Sequence, residues 1–134
     1  MAKGYFTGMT GVYFVAAELS ARGYIVAVTS RNAPGIDIMA TNEEGKRFDI
    51  QVKTNRAGGT QSYWLLSEKA REAHYSGLLY IFVNLKGLDK RPDFYVVPSV
   101  KVAEKLAVFK SSTGSTWYAY NRSESDKERW DLLK

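Results

Sequence analysis

Residues 46–54 constrain this chain more than any other stretch. Phe48, Ile50 and Val52 alternate with Asp49, Gln51 and Lys53, a period of two that gives a β-strand one apolar face and one polar face. The same residues wound into a helix would scatter the apolar side chains around its circumference. Such a strand must bury its apolar side against another layer, so the rest of the chain has to supply a helix or a second sheet.

The remaining sequence supplies both. Met9, Val12, Val15, Ala16 and Leu19 recur at helical spacing, and Gly23 offers a stop, which predicts a helix over 9–22. Residues 24–29 and 36–41 are rich in β-branched and apolar side chains and read as strands, separated by Asn32, Pro34 and Gly35. Asn42, Glu43, Glu44 and Gly45 form turn chemistry between the second strand and the alternating third. Further strands are predicted at 63–66, 78–85 and 94–97. Helices are expected at 67–74 (capped by Ser67), at 100–106 (capped by Ser99) and at 125–134, where Trp130 and Leu133 stand at i and i+3. The prediction is a mixed α/β sheet flanked by helices, in one domain over 1–134, with a core near 8–98 and a helical extension over 99–134.

Composition removes whole classes of chemistry. The 134 residues contain no cysteine and a single histidine, His74. Disulfide scaffolds, thiolate-held metals, a cysteine nucleophile and a multi-histidine metal site are therefore excluded. His74 is read as a structural residue at a helix end. No apolar run approaches the roughly 18–20 residues of a membrane span, and the basic, glycine-bearing start does not read as a signal peptide, so a cytoplasmic protein is expected. Lysine and arginine outnumber aspartate and glutamate by 19 to 14, a balance that suits a polyanionic partner.

The chemistry is expected where the second and third strands meet. Ile36 and Ile38 straddle Asp37, and a hairpin at 42–45 would set Asp37 beside the Gln51 and Lys53 row. A carboxylate, an amide oxygen and an ammonium then converge, with the Val52 carbonyl as a further oxygen. A hard cation such as Mg²⁺ or Mn²⁺ takes oxygen ligands and keeps several waters, so Asp37, Gln51 and Val52 are candidate metal ligands. Lys53 would position the attacking water or stabilise developing phosphorane charge. This constellation suits metal-assisted hydrolysis of a phosphodiester. Thr54, Asn55 and Arg56, leading into the glycines at 58 and 59, are candidates for contact with a nucleic-acid backbone. Lys69, Arg71, Lys86, Lys90 and Arg91 are read chiefly as solubility charges, and Tyr63, Trp64 and Trp117 chiefly as packing residues with base stacking as the alternative.

Gly35-Ile36-Asp37-Ile38, followed by a hairpin and Asp49-Ile50-Gln51-Val52-Lys53, resembles the PD-(D/E)xK nuclease superfamily. Its members include type II restriction enzymes, archaeal Holliday-junction resolvases and methylated-DNA restriction nucleases. Pro34 matches the proline-bearing approach to the aspartate, and the stretch 92–99 looks like that of small bacterial nuclease-fold proteins. The resemblance covers 8–98 and implies a restriction-endonuclease-like α-β-β-β-α-β core. It also implies a metal-assisting glutamate on the first helix, for which Glu18 is the candidate, beside its alternative as an ion-pair partner of Arg22 four residues on. Gln51 departs from the usual Asp or Glu: it keeps an oxygen donor and removes one formal charge. The resemblance thus implies a Mg²⁺- or Mn²⁺-dependent endonuclease acting on duplex or branched DNA. A chain this small would act as a homodimer or beside a companion DNA-recognition subunit. The rival expectation is a catalytically inactive module of the same fold that binds DNA or a protein partner, including an immunity-type protein.

Overall fold

The computed structural model describes residues 3–29, 35–59 and 61–134. Asn32 and Pro34, read above as the break before the aspartate, lie outside the described residues. Helix α1 (Lys3–Ala21) is followed by strands β1 (Ile25–Val28), β2 (Ile38–Thr41) and β3 (Arg47–Asn55). Gly23, at φ +92°, turns the chain out of α1, a conformation open to glycine at little steric cost. The turn into β3 is built as its residues suggest: the Asn42 side chain accepts the Lys46 N–H at 2.9 Å and Gly45 takes φ +84°.

Strand β4 (Tyr63–Leu66), a single 3₁₀ turn (Glu68–Arg71), β5 (Leu78–Asn84) and β6 (Asp93–Pro98) come next. The main sheet has the order β1-β2-β3-β5-β6, parallel only where β3 meets β5. Helix α2 (Ser99–Glu104) leads to strands β7 (Ala107–Lys110) and β8 (Thr116–Asn121), which form a second, antiparallel sheet with β4 in the order β4-β8-β7. The mixed α/β sheet expected from the sequence is therefore present, with a small β layer in addition.

Two apolar layers sandwich the main sheet. Val12, Val15 and Leu19 of α1 pack against Ile38, Ala40, Phe48, Ile50 and Val52, and Trp130 and Leu133 close the same core. On the other face Tyr80, Phe82, Tyr95 and Val97 meet Trp64, Val102 and Tyr120. Strand β5 contributes to both cores, which explains its unbroken apolar run.

The C-terminal part differs from the expected helical extension. Only Ser99–Glu104 is α-helical there, and much of the remainder is the β7–β8 hairpin. β7 shows no apolar/polar alternation in its burial, so it carries no period that would identify it. At the far end Trp130–Leu132 is a 3₁₀ turn. The i, i+3 spacing of Trp130 and Leu133 fits that tighter helix, in which residues three apart eclipse. Ser67 precedes a 3₁₀ turn and makes no side-chain cap. Pro98 occupies the cap position of α2, and the Ser99 hydroxyl instead bonds the Tyr75 backbone at 3.2 Å.

Gly11 sets how closely α1 lies on β3. A Cβ added there would fall 1.8 Å from Thr54 Oγ1 and 2.8 Å from Thr54 Cβ. Gly11→Ala is expected to cost about 1–3 kcal/mol through overpacking, and Thr54→Ala in the same chain to restore most of that loss. Urea midpoints of the two single variants and the double variant measure the coupling; additive effects would show that the two residues do not compete for this space.

Candidate active site

The β2–β3 ladder begins at the pair Ile38 and Ile50, and Asp37 stands one residue before it, where β2 begins. The Asp37 backbone is fixed from both sides. Its N–H donates to the Ile50 carbonyl at 2.8 Å, and its carbonyl accepts from the Thr29 N–H at 2.9 Å and the Thr29 hydroxyl at 3.2 Å. With β2 ended, the Val52 N–H has no strand partner on that edge. The Asp37 side chain takes the role, Oδ2 accepting that N–H at 2.7 Å. A buried N–H must be paired, and here a carboxylate pairs it. Val52 presents its carbonyl to the same edge of β3 as its N–H, beside Asp37.

Gln51 and Lys53 are half-buried on the face of β3 opposite the α1 core, beside Tyr80 and Phe82 of β5. Lys53 makes no ion pair or hydrogen bond with the described residues, so its ammonium is not committed to a carboxylate. The structure therefore seats the Asp37 carboxylate on the backbone of Val52, the residue between Gln51 and Lys53, whose side chains share one face of β3. Asp49, one pleat further back, is occupied: it accepts from Arg47 Nε at 2.8 Å and from the Tyr75 hydroxyl at 2.6 Å. Burial, reinforced by that bond, pushes the Tyr75 phenol up to about 12.

Glu18 does not join this group. Its carboxylate is engaged by Arg22 Nε at 3.1 Å and by Arg91 through Nε at 3.0 Å and a second nitrogen at 2.7 Å. Arg91 also pairs with Glu128 at 2.8 Å and lies over the Phe94 ring. The reason is geometric. α1 covers the face opposite the Gln51/Lys53 row, and the flank bearing Glu18 looks toward β6, the far edge of the sheet from β2. Bonds from Glu128 and Glu18 hold the Arg91 guanidinium charged beyond its ordinary range. Burial opposes the charge on Glu128, yet the bonds from Arg91 and Trp130 bring its carboxyl below the usual glutamate value. Both α1 and the C-terminal segment are tied to the β6 edge by this cluster.

The three residues after Lys53 separate in role. The Thr54 hydroxyl is buried beneath Gly11 with no hydrogen-bond partner among the described residues, on the α1 side, and so faces away from any backbone running past Lys53. The Asn55 amide is committed inside the fold, donating to the Tyr63 carbonyl at 2.8 Å and to Asn84 Oδ1 at 3.1 Å. Arg56 alone is exposed. It lines a groove of about 320 Å³ shared with Gly58, Gly59, Lys86 and Arg122. Lys86 is paired with Asp93 at 3.1 Å, and Arg122 lies 3.8 Å from Glu124. Arg122 has no sequence signal. Its place follows from the β4–β8 pairing, which continues as a bond from its N–H to the Ser62 carbonyl at 2.7 Å. Trp64 is buried at 1% exposure and is a packing residue.

No protein-family model and no curated protein sequence matches the chain. Among solved structures, a bacterial homing endonuclease, I-Ssp6803I, superposes with a TM-score of 0.59 at 17% identity, over 99% of this chain and 92% of that one. The chain thus shares the fold of that structure almost end to end. Among the described residues no helix is long and apolar enough to cross a membrane.

Proposed function

We propose that this chain is a metal-dependent DNA endonuclease of the PD-(D/E)xK type, hydrolysing phosphodiester bonds at the Asp37–Gln51–Lys53 cluster. One observation carries the reading. The Asp37 carboxylate is held on the Val52 N–H at the end of the β2–β3 ladder, Val52 lies between Gln51 and Lys53 in β3, and Lys53 makes no ion pair with the described residues. The shared fold with a homing endonuclease supports it.

The donor set is all oxygen, which fits Mg²⁺ or Mn²⁺. Asp37, through the oxygen not turned to Val52, the Gln51 side-chain oxygen and the Val52 carbonyl would hold the ion, with DNA phosphate and water completing the shell. When bound, such an ion supplies charge neutralisation at the phosphate and a water of lowered pKa. Lys53 then donates to the attacking water and offsets the negative charge that develops on the phosphorane. Arg56 holds a flanking phosphate and fixes the strand's direction of travel. Cutting both strands calls for two such sites, as a homodimer would give, and reading a sequence calls for a companion DNA-recognition subunit.

A second reading, a non-catalytic DNA- or protein-binding module, is favoured by one feature. The cluster holds a single carboxylate, Glu18 being taken by Arg91, and among the described residues no group of three or more His, Asp or Glu side chains converges. Gln51→Glu separates the two readings. For an endonuclease, the added charged ligand is expected to raise Mn²⁺ affinity about ten-fold and to preserve nicking of supercoiled plasmid, read by calorimetry and gel. If neither the wild type nor this variant binds Mn²⁺ or nicks DNA, the endonuclease reading is lost. DNA affinity falling steeply with salt would then favour the DNA-binding module. A stable, salt-insensitive protein complex would favour an immunity-type partner.

A further inference from the structure

The outer face of the second sheet carries an aromatic cluster that the fold does not use. Phe109 and Trp117 are directly paired across β7 and β8, and the Tyr63 ring stands 6.3 Å from that of Phe109. Trp117 is 50% exposed and Phe109 44%, whereas Trp64 and Trp130 are buried. Tyr63, Phe109 and Trp117, with Lys110 and Ser111, line a groove of about 280 Å³. Large aromatics grouped on a surface mark a binding site more often than singly exposed apolar residues do.

The surroundings indicate what the groove takes. It adjoins the Arg56–Lys86–Arg122 groove through Tyr63, whose carbonyl holds Asn55 of that groove and whose neighbour Ser62 accepts the Arg122 N–H. A groove lined by cations therefore adjoins the aromatic one, and Lys110 stands in the wall itself. A second copy docking here about a two-fold axis would set this cation-bearing patch against the same patch of its partner. A flat ring attached to a polyanionic strand meets both requirements, since aromatic side chains stack on any base while cations track the phosphates.

We propose that Tyr63, Phe109 and Trp117 form a stacking site for an unpaired nucleobase of a DNA strand whose phosphates run along Arg56, Lys86 and Arg122. This rests on reading the chain as a DNA-handling protein, but not on cleavage. It also gives the chain a preference for DNA with unpaired bases over continuous duplex.

The test uses a fluorescently labelled oligo(dT) and a fully paired duplex of equal length, in low salt with EDTA so that no metal takes part. Oligo(dT) is expected to quench the Trp117 emission, the other two tryptophans being buried. The ratio of oligo(dT) to duplex affinity is expected to fall about ten-fold in Trp117→Ala and in Phe109→Ala, and to be largely kept in Trp117→Phe. Unchanged ratios in both alanine variants would overturn the proposal. So would concentration-dependent dimerisation abolished by Trp117→Ala, which would make this face an interface between copies. Stacking without any metal-dependent cleavage would support the proposal while removing the endonuclease reading. Failure to bind either DNA would overturn both.

Discussion

Asp37→Ala is expected to reduce Mn²⁺-dependent nicking by about a thousand-fold or more, since the sole carboxylate of the cluster is lost and with it several kcal/mol of transition-state stabilisation. The same change removes the acceptor of the Val52 N–H, a loss worth about 1–3 kcal/mol of stability. A damaged fold and a damaged site therefore have to be told apart. Asp37→Asn does this, because its amide oxygen still accepts from Val52 while the charge is gone. Its thermal midpoint is expected to stay close to that of the wild type with cleavage still lost. An asparagine variant that nicks plasmid at the wild-type rate would mean that Asp37 serves the β2–β3 junction and not a metal.

The largest stability effect is expected at Asp126. This carboxylate is 3% exposed and accepts from Lys101 Nζ at 2.6 Å and from the Tyr120 hydroxyl at 2.6 Å, joining α2, β8 and the C-terminal segment. In Asp126→Ala the Tyr120 hydroxyl stays buried without an acceptor. Lys101, about a third exposed along its side chain, swings out to water, so the ion pair contributes less than a fully buried one. A loss of about 2–3 kcal/mol follows, or roughly 6–12 °C in the thermal midpoint for a domain of this size. Asp126→Asn, which keeps an acceptor for Tyr120, is expected to lose clearly less. Burial, and then the bond to Asp126, hold the Tyr120 phenol above the ordinary tyrosine range. Its share of the stability is therefore complete below about pH 10 and is lost only as the pH rises beyond that. Equal midpoints for wild type and Asp126→Ala would show that the network contributes nothing.

Much of the architecture could be read from short-range pattern. The period of two in β3, the helical spacing of Val12, Val15 and Leu19, and the turn at 42–45 each depend on neighbouring residues, and each is found close to where it was expected. The position of Asp37 also follows from local facts: a fixed turn sets the β2–β3 register, and the register brings the start of β2 beside Ile50 and Val52 of β3. The helical extension was misread for the opposite reason. β7 and β8 are short and half-exposed, and the i, i+3 pair Trp130 and Leu133 suits a 3₁₀ turn as well as an α-helix.

The candidate site was legible where it is built from β2 and β3 alone and illegible where it depends on other elements. Glu18 shares a helical face arrangement with residues that do reach the core, and nothing local reveals that Arg91, far along the chain, will take its carboxylate. Thr54 and Asn55 read like loop-edge polar residues. The approach of α1 at Gly11 buries the first, and the entry of β4 at Tyr63 commits the second.

The sequence by itself determined the mixed α/β class, the amphipathic third strand and the approach of Asp37 to that strand at Val52, because these follow from side-chain periodicity and turn chemistry over a few residues. Only the tertiary structure decided that Glu18 belongs to an ion-pair cluster at the β6 edge, that Arg122 joins Arg56 and Lys86, and that Tyr63, Phe109 and Trp117 share one exposed face. Those placements depend on which distant strands pair and which face a helix covers, and such long-range choices are made by the packing of the whole core.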